Sequence, residues 1–439
     1  MKRKQILFCI IFLVLLAGAV GLLLMRAAVR TADPPAETPA AAETAIPGPE
    51  TAETGLSGGE AEIPNDESPD EAEDVSGELS AEPEPVPAPP EEPEPEPAPH
   101  YSIPEDALAA PVPNEACYGT CPVEDTATVM ALIQRARDSG LLGAEEVVAF
   151  DPEANFYQGA FARNFEYYLD DSIMAILWKE NMDGMCCSFA EVKVADASQF
   201  RRKLADDSFG SPNLYYASAM AEEVNAVVTV NADYYLPRDY GIVVWNRELC
   251  RFNTGYVMAD CLQYNVVDTL FVNKAGDFLI KHLGEENTPE SIEAFVQEND
   301  ILFSVAFGPV LVENGEAVSH TWYPIGEAME GYSRAGIGQI GERHYLYMAL
   351  SHGNREARWT VNQFGEHFAW KPVQTAYCLD GGQTGELYFC GSVYNYIDFN
   401  KERPVSDILY FATAIPDSPS EEAGNAENAG NPGNAGESP

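Results

Sequence analysis

A long stretch of this chain lacks the composition needed to build a core. Residues 33–100 contain no lysine or arginine, and proline, glutamate, alanine, threonine and serine dominate them. They hold 20 of the chain's 70 acidic residues. Proline stiffness and repulsion between carboxylates favour an extended chain that buries little apolar surface. We therefore predict that residues 31–100 form a disordered acidic spacer, which confines the fold to the residues that follow.

An apolar run precedes this spacer. Residues 2–4 are Lys, Arg and Lys, and residues 6–25 are uncharged and apolar. At about 1.5 Å per residue such a run spans a bilayer core, and it is longer than the apolar region of a usual cleaved signal peptide. We predict a transmembrane signal anchor over residues 1–30. The basic flank favours a single-pass protein of the cell membrane whose C-terminal domain is extracytoplasmic.

The rest of the chain divides by composition and pattern. Residues 101–165 contain one helical signal, at residues 123–138, and are predicted to form an N-terminal extension. Residues 166–415 are predicted to be the main domain, and residues 416–439, rich in Asn, Gly, Glu and Ala, a disordered tail. The formal net charge of −45 disfavours a nucleic-acid partner, because neutralising phosphates requires a basic face.

Short apolar segments with strand character dominate the main domain. They lie at residues 172–178, 187–194, 226–235, 241–245, 269–272, 306–312, 344–350 and 408–412. Helices are predicted at residues 197–204, 217–224, 288–297 and 360–368. We therefore predict an α+β fold, with a mixed β-sheet core and helices packed on it.

The cysteine and histidine patterns predict no cofactor and no metal centre. Eight cysteines lie beyond the apolar run, which permits disulfides in an oxidising compartment but leaves their pairing open. No Cys-x-x-Cys pair is present and the histidines are scattered singly, which disfavours zinc. Calcium held by aspartate and backbone oxygens stays open as an alternative. Residues 336–341 match a dinucleotide fingerprint by letters, but a strand pattern follows them instead of the required helix.

Three polar motifs end apolar segments and place reactive side chains on loops. They are Asn-Ala-Asp at residues 231–233, Arg-Ala-Gly-Ile-Gly at residues 334–338, and Asp-Gly-Gly-Gln-Thr at residues 380–384. Loops at the ends of rigid strands often carry binding and catalytic groups. The glycines after Asp380 can also turn backbone N–H groups toward a ligand. The alternative is a simple hairpin turn, since Asp-Gly is a common turn sequence.

The order of these motifs resembles the phosphodiester glycosidase family over roughly residues 167–413. The similar segments are residues 231–235, residues 308–312 with Asn314-Gly315 after them, and residues 334–338, 379–384 and 402–406. The resemblance implies an enzyme that hydrolyses the bond between a sugar and a phosphodiester. Together with the predicted anchor and spacer, it leads us to expect a carbohydrate or phosphoglycan of the cell envelope as the substrate.

The chain departs from the family's motifs at several positions. Ala232 and Ala335 replace glycine and threonine, and Gln383 and Thr384 replace glycine and serine. These departures support an alternative interpretation, a non-catalytic cell-surface protein that binds glycan or phosphoglycan. A structural domain of the envelope is a third possibility, supported by the spacer alone.

The chemistry implied by the resemblance suits the residue types. Cleavage at the anomeric carbon expels a phosphate monoester, so the transition state chiefly needs a nearby carboxylate and a fixed cation on the phosphate. We predict Asp380 and Asp233 as catalytic carboxylates, Arg334 as the phosphate ligand and Asn231 as a partner of a sugar hydroxyl. The other predicted substrate-binding residues are Gly381, Gly382, Thr384 and Arg403. Residue types alone do not distinguish a nucleophile from a general base.

Overall fold

Antiparallel sheets dominate the fold. The computed structural model describes residues 101–159, 163–254, 262–352 and 358–415. The predicted signal anchor, acidic spacer and C-terminal tail lie outside these residues. Among the helices in these ranges, none has the length and hydropathy of a membrane span.

Nineteen strands lie in the described ranges. In chain order they are β1 (Tyr118–Pro122), β2 (Asn164–Leu169), β3 (Ile173–Met182), β4 (Met185–Val194), β5 (Phe200–Leu204), β6 (Val228–Asn231), β7 (Val243–Trp245), β8 (Glu248–Arg251), β9 (Thr269–Asn273), β10 (Phe278–Lys281), β11 (Ile301–Val305), β12 (Val310–Glu313), β13 (Glu316–Ala317), β14 (Arg334–Gly341), β15 (His344–His352), β16 (Thr375–Leu379), β17 (Leu387–Phe389), β18 (Ser392–Val393) and β19 (Asp407–Phe411).

Four α-helices occur in the same ranges. They are α1 (Thr126–Asp138), α2 (Ala217–Glu223), α3 (Pro289–Glu298) and α4 (Val361–Phe368). Local capping explains where they begin. The Asp125 carboxylate accepts the Thr128 N–H at 3.1 Å at the start of α1, and Thr360 and Gln363 form a capping box at the start of α4. All four helices coincide with predicted ones.

Nine strands form one large sheet, in the order β1-β2-β3-β4-β15-β14-β16-β12-β13, and both of its faces are buried. Ile176 and Trp178 of β3 join the hydrophobic cluster on one face. Ala175 and Leu177, one residue out of phase, join the cluster on the other face. Burial of both faces explains why these strands are almost continuously apolar.

A five-stranded sheet, in the order β18-β17-β6-β19-β5, covers one face of the large sheet. Val230 of β6 and Leu409 of β19 pack with Leu177 in one cluster. Ile408 of β19 points the opposite way and packs with Met220 of α2. Helices α1 and α4 cover the other face of the large sheet. The result is a layered arrangement of helices, large sheet, five-stranded sheet and helix.

The α+β class with few helices is confirmed. Every strand pair in the described ranges is antiparallel, so the strand directions differ from the mixed sheet that we predicted. Tight hairpins explain part of this. Between β3 and β4, Asp183 and Gly184 both have positive φ, 51° and 80°, as a two-residue hairpin turn requires.

The helix predicted at residues 197–204 is wrong. Only residues 197–199 form a 3-10 turn, and the rest is strand β5, which pairs with β19. Phe200 stacks on Phe411 with ring centroids 4.6 Å apart, and Arg202 points to the same buried side. A charged arginine at an inward-facing position breaks the alternation of apolar and polar residues that identifies a strand. Tertiary pairing therefore overrides the local helical signal.

Candidate active site

The three predicted motifs meet at one end of the two principal sheets. β16 of the large sheet ends just before Asp380, and β6 of the five-stranded sheet ends at Asn231. The Asp380 N–H donates to the Ala232 carbonyl at 3.2 Å, which joins the two ends. β14, which begins at Arg334, pairs with β16. Pairing of β14 with β16, together with this hydrogen bond between the two sheets, therefore brings together segments as distant in the chain as residues 231 and 380.

The Asp380 carboxylate lies at the solvent-facing edge of this junction, with 12% of its side chain exposed. One oxygen accepts the Gly381 N–H at 2.9 Å, and the other accepts from Arg403 Nη2 at 3.1 Å. Burial raises the pKa of Asp380, while hydrogen bonding to Thr384 and the charge of Arg403 oppose that rise. Asp380 is thus a partly desolvated carboxylate that still reaches solvent.

The loop after Asp380 is a tight turn, held by hydrogen bonds to backbone carbonyls. A side chain at Gly381 would meet the Ser333 carbonyl oxygen at 2.5 Å, and Gly382 has a φ of 68°. The Gly382 N–H donates to the same carbonyl at 3.2 Å, and Thr384 Oγ1 donates to the Gly381 carbonyl at 2.8 Å. These glycines and Thr384 therefore shape the loop, and the two glycine N–H groups already have partners within the protein.

Asn231 is fully buried beneath the loop. Its Nδ2 donates to the Asp380 carbonyl, and its Oδ1 accepts from the Tyr347 hydroxyl at 3.0 Å. Both polar ends of the amide are therefore occupied by protein groups. Asn231 thus holds the backbone of Asp380 in place, whereas we predicted that it would contact a sugar hydroxyl.

Asp233 lies in a separate buried cluster. Its Oδ2 accepts the Ala306 N–H at 2.8 Å, its Oδ1 accepts the Tyr234 N–H at 2.6 Å, and Arg202 Nη2 lies 3.9 Å from Oδ2. Only 1% of the side chain is exposed. The predicted second catalytic carboxylate thus connects the end of β6 to the core, and it does not join Asp380 at the loop surface.

Arg334 is also held by the protein itself. Its Nε donates to the Trp359 carbonyl at 3.1 Å, and its Nη2 donates to three carbonyls of a single turn, those of Glu327, Ala328 and Glu330. Burial lowers the pKa of the guanidinium. The predicted phosphate ligand therefore braces a turn next to the site, and most of its donors are not directed at a ligand.

Arg403 has the surroundings that a phosphate ligand needs, which we had predicted for Arg334. Its guanidinium contacts Asp380 and lies 5.5 Å from the ring centroid of Tyr234, and 42% of its side chain is exposed. An exposed, planar guanidinium beside a carboxylate can exchange that partner for a phosphate. Of the two predicted arginines, Arg403 has the geometry of an anion ligand.

Arg358 and Asp398 form a second polar group next to the loop, which we did not predict from the sequence. Asp398 accepts from Arg358 Nη2 at 2.7 Å and Nη1 at 3.2 Å, and from Ser333 Oγ at 2.9 Å. A side chain at Gly382 would come within 4.0 Å of Asp398 Oδ2. Neither Arg358 nor Asp398 belongs to a motif, so only their packing in three dimensions identifies them.

The described ranges contain no group of three or more His, Cys, Asp or Glu side chains arranged to hold a metal ion. The seven cysteines that they include are free thiols. A cavity of about 970 Å³ lies elsewhere, between residues 102–108 and β5, and none of the predicted site residues lines it.

Comparison with known proteins identifies the part of the chain that carries this junction. A family model described as phosphodiester glycosidase matches residues 224–412, which include every predicted site residue. No curated protein matches the chain.

Among solved structures, the catalytic domain of zebrafish N-acetylglucosamine-1-phosphodiester alpha-N-acetylglucosaminidase, auto-inhibited by its pro-peptide, is 14% identical. The match covers 59% of this chain and 86% of that one, with a TM-score of 0.42. A hypothetical protein from Synechocystis is also 14% identical, over 55% of this chain and 62% of that one, with a TM-score of 0.38.

Proposed function

We propose that the protein hydrolyses glycosyl phosphodiesters, and the match of residues 224–412 to the phosphodiester glycosidase family model supports this. The observation that carries the proposal is the pair formed by Asp380 and Arg403 at the end of β16, with an oxygen–nitrogen distance of 3.1 Å. One residue supplies a carboxylate for the anomeric carbon, and the other supplies a cation for the phosphate.

The proposed reaction breaks the bond between the anomeric carbon and the phosphate oxygen. The electron pair leaves with the phosphate monoester, whose charge Arg403 neutralises. In one route the Asp380 carboxylate takes the proton from the water that attacks the anomeric carbon. In the other it attacks that carbon itself and forms a glycosyl ester, which water then hydrolyses to release the sugar and restore the carboxylate. Because a phosphate monoester is a good leaving group, the mechanism needs no strong acid on the leaving oxygen.

We also propose that this reaction takes place outside the cytoplasm, on a carbohydrate or phosphoglycan of the cell envelope. The apolar residues 6–25 and the acidic spacer at residues 31–100 support a membrane-anchored enzyme whose domain extends away from the bilayer. Protease accessibility of the domain in intact cells tests this topology. Protection of the domain until the membrane is permeabilised would contradict it.

The test of function uses the full chain, purified in detergent, with a methyl diester of a sugar 1-phosphate in water enriched in oxygen-18. Cleavage at the anomeric carbon places the label in the released sugar and leaves methyl phosphate unlabelled. Label in the phosphate would indicate attack on phosphorus and would contradict a glycosidase. Saturable binding without any product would favour the alternative, a glycan-binding protein in which the loop geometry persists without turnover.

Phe399 is expected to contribute to substrate binding. It is 72% exposed, it follows Asp398 on the segment that approaches Gly382, and its φ of 62° is unusual for a bulky residue. An exposed aromatic ring beside a carbohydrate site can stack on a sugar face. We expect Phe399→Ala to lower kcat/KM about tenfold, mainly through KM, which corresponds to roughly 1.4 kcal/mol.

Two matched variants control this prediction. Phe399→Tyr keeps a ring and is expected to retain activity. Leu108→Ala truncates a residue of similar exposure, 75%, in the N-terminal segment away from the loop, and is expected to change nothing. Equal kinetics for Phe399→Ala and the unmodified enzyme would exclude a contact between Phe399 and the substrate.

A further inference from the structure

Two glutamate side chains meet beside the Asp380 loop. Glu386, six residues after Asp380, is 2% exposed, and its Oε1 is buried without any hydrogen-bond donor. Its carboxyl group lies within hydrogen-bonding distance of the Glu402 carboxyl group. Glu402 in turn accepts from Ser218 Oγ at 2.7 Å. A buried carboxyl group and a half-buried one thus face each other.

Among the residues that the structure describes, no cation lowers the pKa of Glu386. Burial and the neighbouring Glu402 carboxyl group both raise the pKa of Glu386. Two tyrosines are nearby. The Tyr347 hydroxyl lies 3.2 Å from the backbone carbonyl oxygen of Glu386, and the charge of Glu402 helps to raise the pKa of Tyr388. Two carboxylates in contact cannot both ionise at low cost, so one proton is retained between them. Because Oε1 of Glu386 is buried without a donor, a neutral carboxyl group costs less to bury at this position than a carboxylate.

The pair connects the two segments that form the candidate site. Glu386 belongs to the segment that begins at Asp380, and Glu402 directly precedes Arg403. Arg403 Nη2 lies 3.1 Å from Asp380 Oδ2, so the segments touch at both points. If both glutamates were charged, their repulsion would push the Arg403 segment away from the Asp380 loop.

We propose that Glu386 and Glu402 share one proton, and that this shared proton positions Arg403 against Asp380. Loss of the proton separates the two segments and removes the cation from the site. Glu386 is accordingly a positioning residue. The consequence for turnover rests on the proposed function, whereas proton sharing and the position of Arg403 do not.

The direction of the pH dependence follows from the environment of Glu386. Burial, reinforced by Glu402, raises the pKa of Glu386 from 4.5 to about 8. Between these values the folded protein holds a proton that the unfolded chain has released, so the stability of the folded state falls as pH rises. The contribution of the neutral carboxyl is complete below about pH 4.5, is lost as pH approaches 8, and changes no further above that.

The test compares the full chain with Glu386→Gln, Glu402→Gln and the control Glu293→Gln, an exposed residue of α3. Infrared difference spectra report the C=O stretch of a protonated carboxyl. We expect this band in the unmodified protein at pH 6, its loss with a midpoint near pH 8, and its absence in Glu386→Gln. In Glu402→Gln an amide donor faces Glu386, so the midpoint should move to lower pH. The control should match the unmodified protein.

Two further measurements report whether Arg403 stays beside Asp380. Its modification by phenylglyoxal, located by mass spectrometry, should increase above the midpoint in the unmodified protein but not in Glu386→Gln, whose neutral amide keeps the segments together. Turnover should fall about tenfold per pH unit above the midpoint, and Glu386→Gln should lose this decline.

The outcomes separate the two proposals. Absence of the infrared band, or its persistence in Glu386→Gln, overturns proton sharing. Equal Arg403 modification in both proteins overturns the positioning role. If the band and the Arg403 pattern appear but no sugar 1-phosphodiester is hydrolysed, the inference stands and the proposed function fails. If turnover is present and its pH profile is the same in Glu386→Gln, the proposed function stands and the inference fails.

Discussion

Replacing Asp380 by Asn is expected to lower kcat/KM for a sugar 1-phosphodiester by roughly 10²–10⁴-fold, the usual contribution of a catalytic carboxylate. Asparagine keeps the shape of the side chain, and its oxygen can still accept the Gly381 N–H, which lies 2.9 Å from Asp380 Oδ1. The substitution removes the negative charge that would face the anomeric carbon. The fold should therefore remain intact while the chemistry is lost.

Steady-state kinetics and thermal unfolding of the same samples check this prediction. Asp171→Asn, which neutralises an exposed aspartate, serves as the matched control and should leave both quantities unchanged. If Asp380→Asn folds and turns over normally, Asp380 is only an anchor of its loop, and the catalytic assignment fails. A loss of stability together with activity would require the more conservative Asp380→Glu to decide between the two roles.

The acidic side of the pH profile belongs to the same prediction. Because burial raises the pKa of Asp380 above its ordinary value of 3.8, the reactive carboxylate is lost as pH falls through that raised pKa. Activity should therefore decline on the acidic side at a higher pH than for an exposed aspartate. The decline cannot be measured in Asp380→Asn if that variant is inactive, so it is measured on the unmodified enzyme.

Much of the fold was predictable because its signals are local. The strand that precedes Asp380 and the two glycines that follow it form a pattern that needs no distant partner to be recognised. The cap residue Asp125 likewise marks the start of α1. Strand β5 could not be predicted, because Arg202 stands at an inward position where an apolar residue is usual, and only its partner across the sheet explains it.

The roles within the candidate site were harder to predict for a physical reason. Arg334 and Arg403 are equivalent by residue type, and both stand in family-like motifs. Their difference lies in what surrounds them. Backbone carbonyls of residues 327, 328, 330 and 359 accept from Nε and Nη2 of Arg334, whereas Arg403 keeps solvent access beside Asp380. Such surroundings depend on tertiary packing and have no local sequence signal.

Replacing Arg202 by Met is expected to lower the free energy of unfolding by roughly 3–5 kcal/mol, the usual cost of breaking a buried ion pair. Arg202 Nη2 lies 2.6 Å from Asp407 Oδ2, and both side chains are fully buried. Asp233 Oδ2 lies 3.9 Å from the same nitrogen. Without the guanidinium, two buried carboxylates would face each other, although burial already raises the pKa of Asp407. Chemical denaturation of the purified full chain measures the loss.

The neighbouring cation on β5 provides the control. Lys203 pairs with Asp207 and Glu223, whose side chains are 37% and 62% exposed, so Lys203→Met should cost about 1 kcal/mol or less. Exposed carboxylates left without a partner are solvated by water, whereas Asp407 and Asp233 are not. If Arg202→Met and Lys203→Met prove equally stable, the buried cluster is not held by charge. Asp233 would then be free of the structural role assigned here, and its predicted catalytic role would regain support.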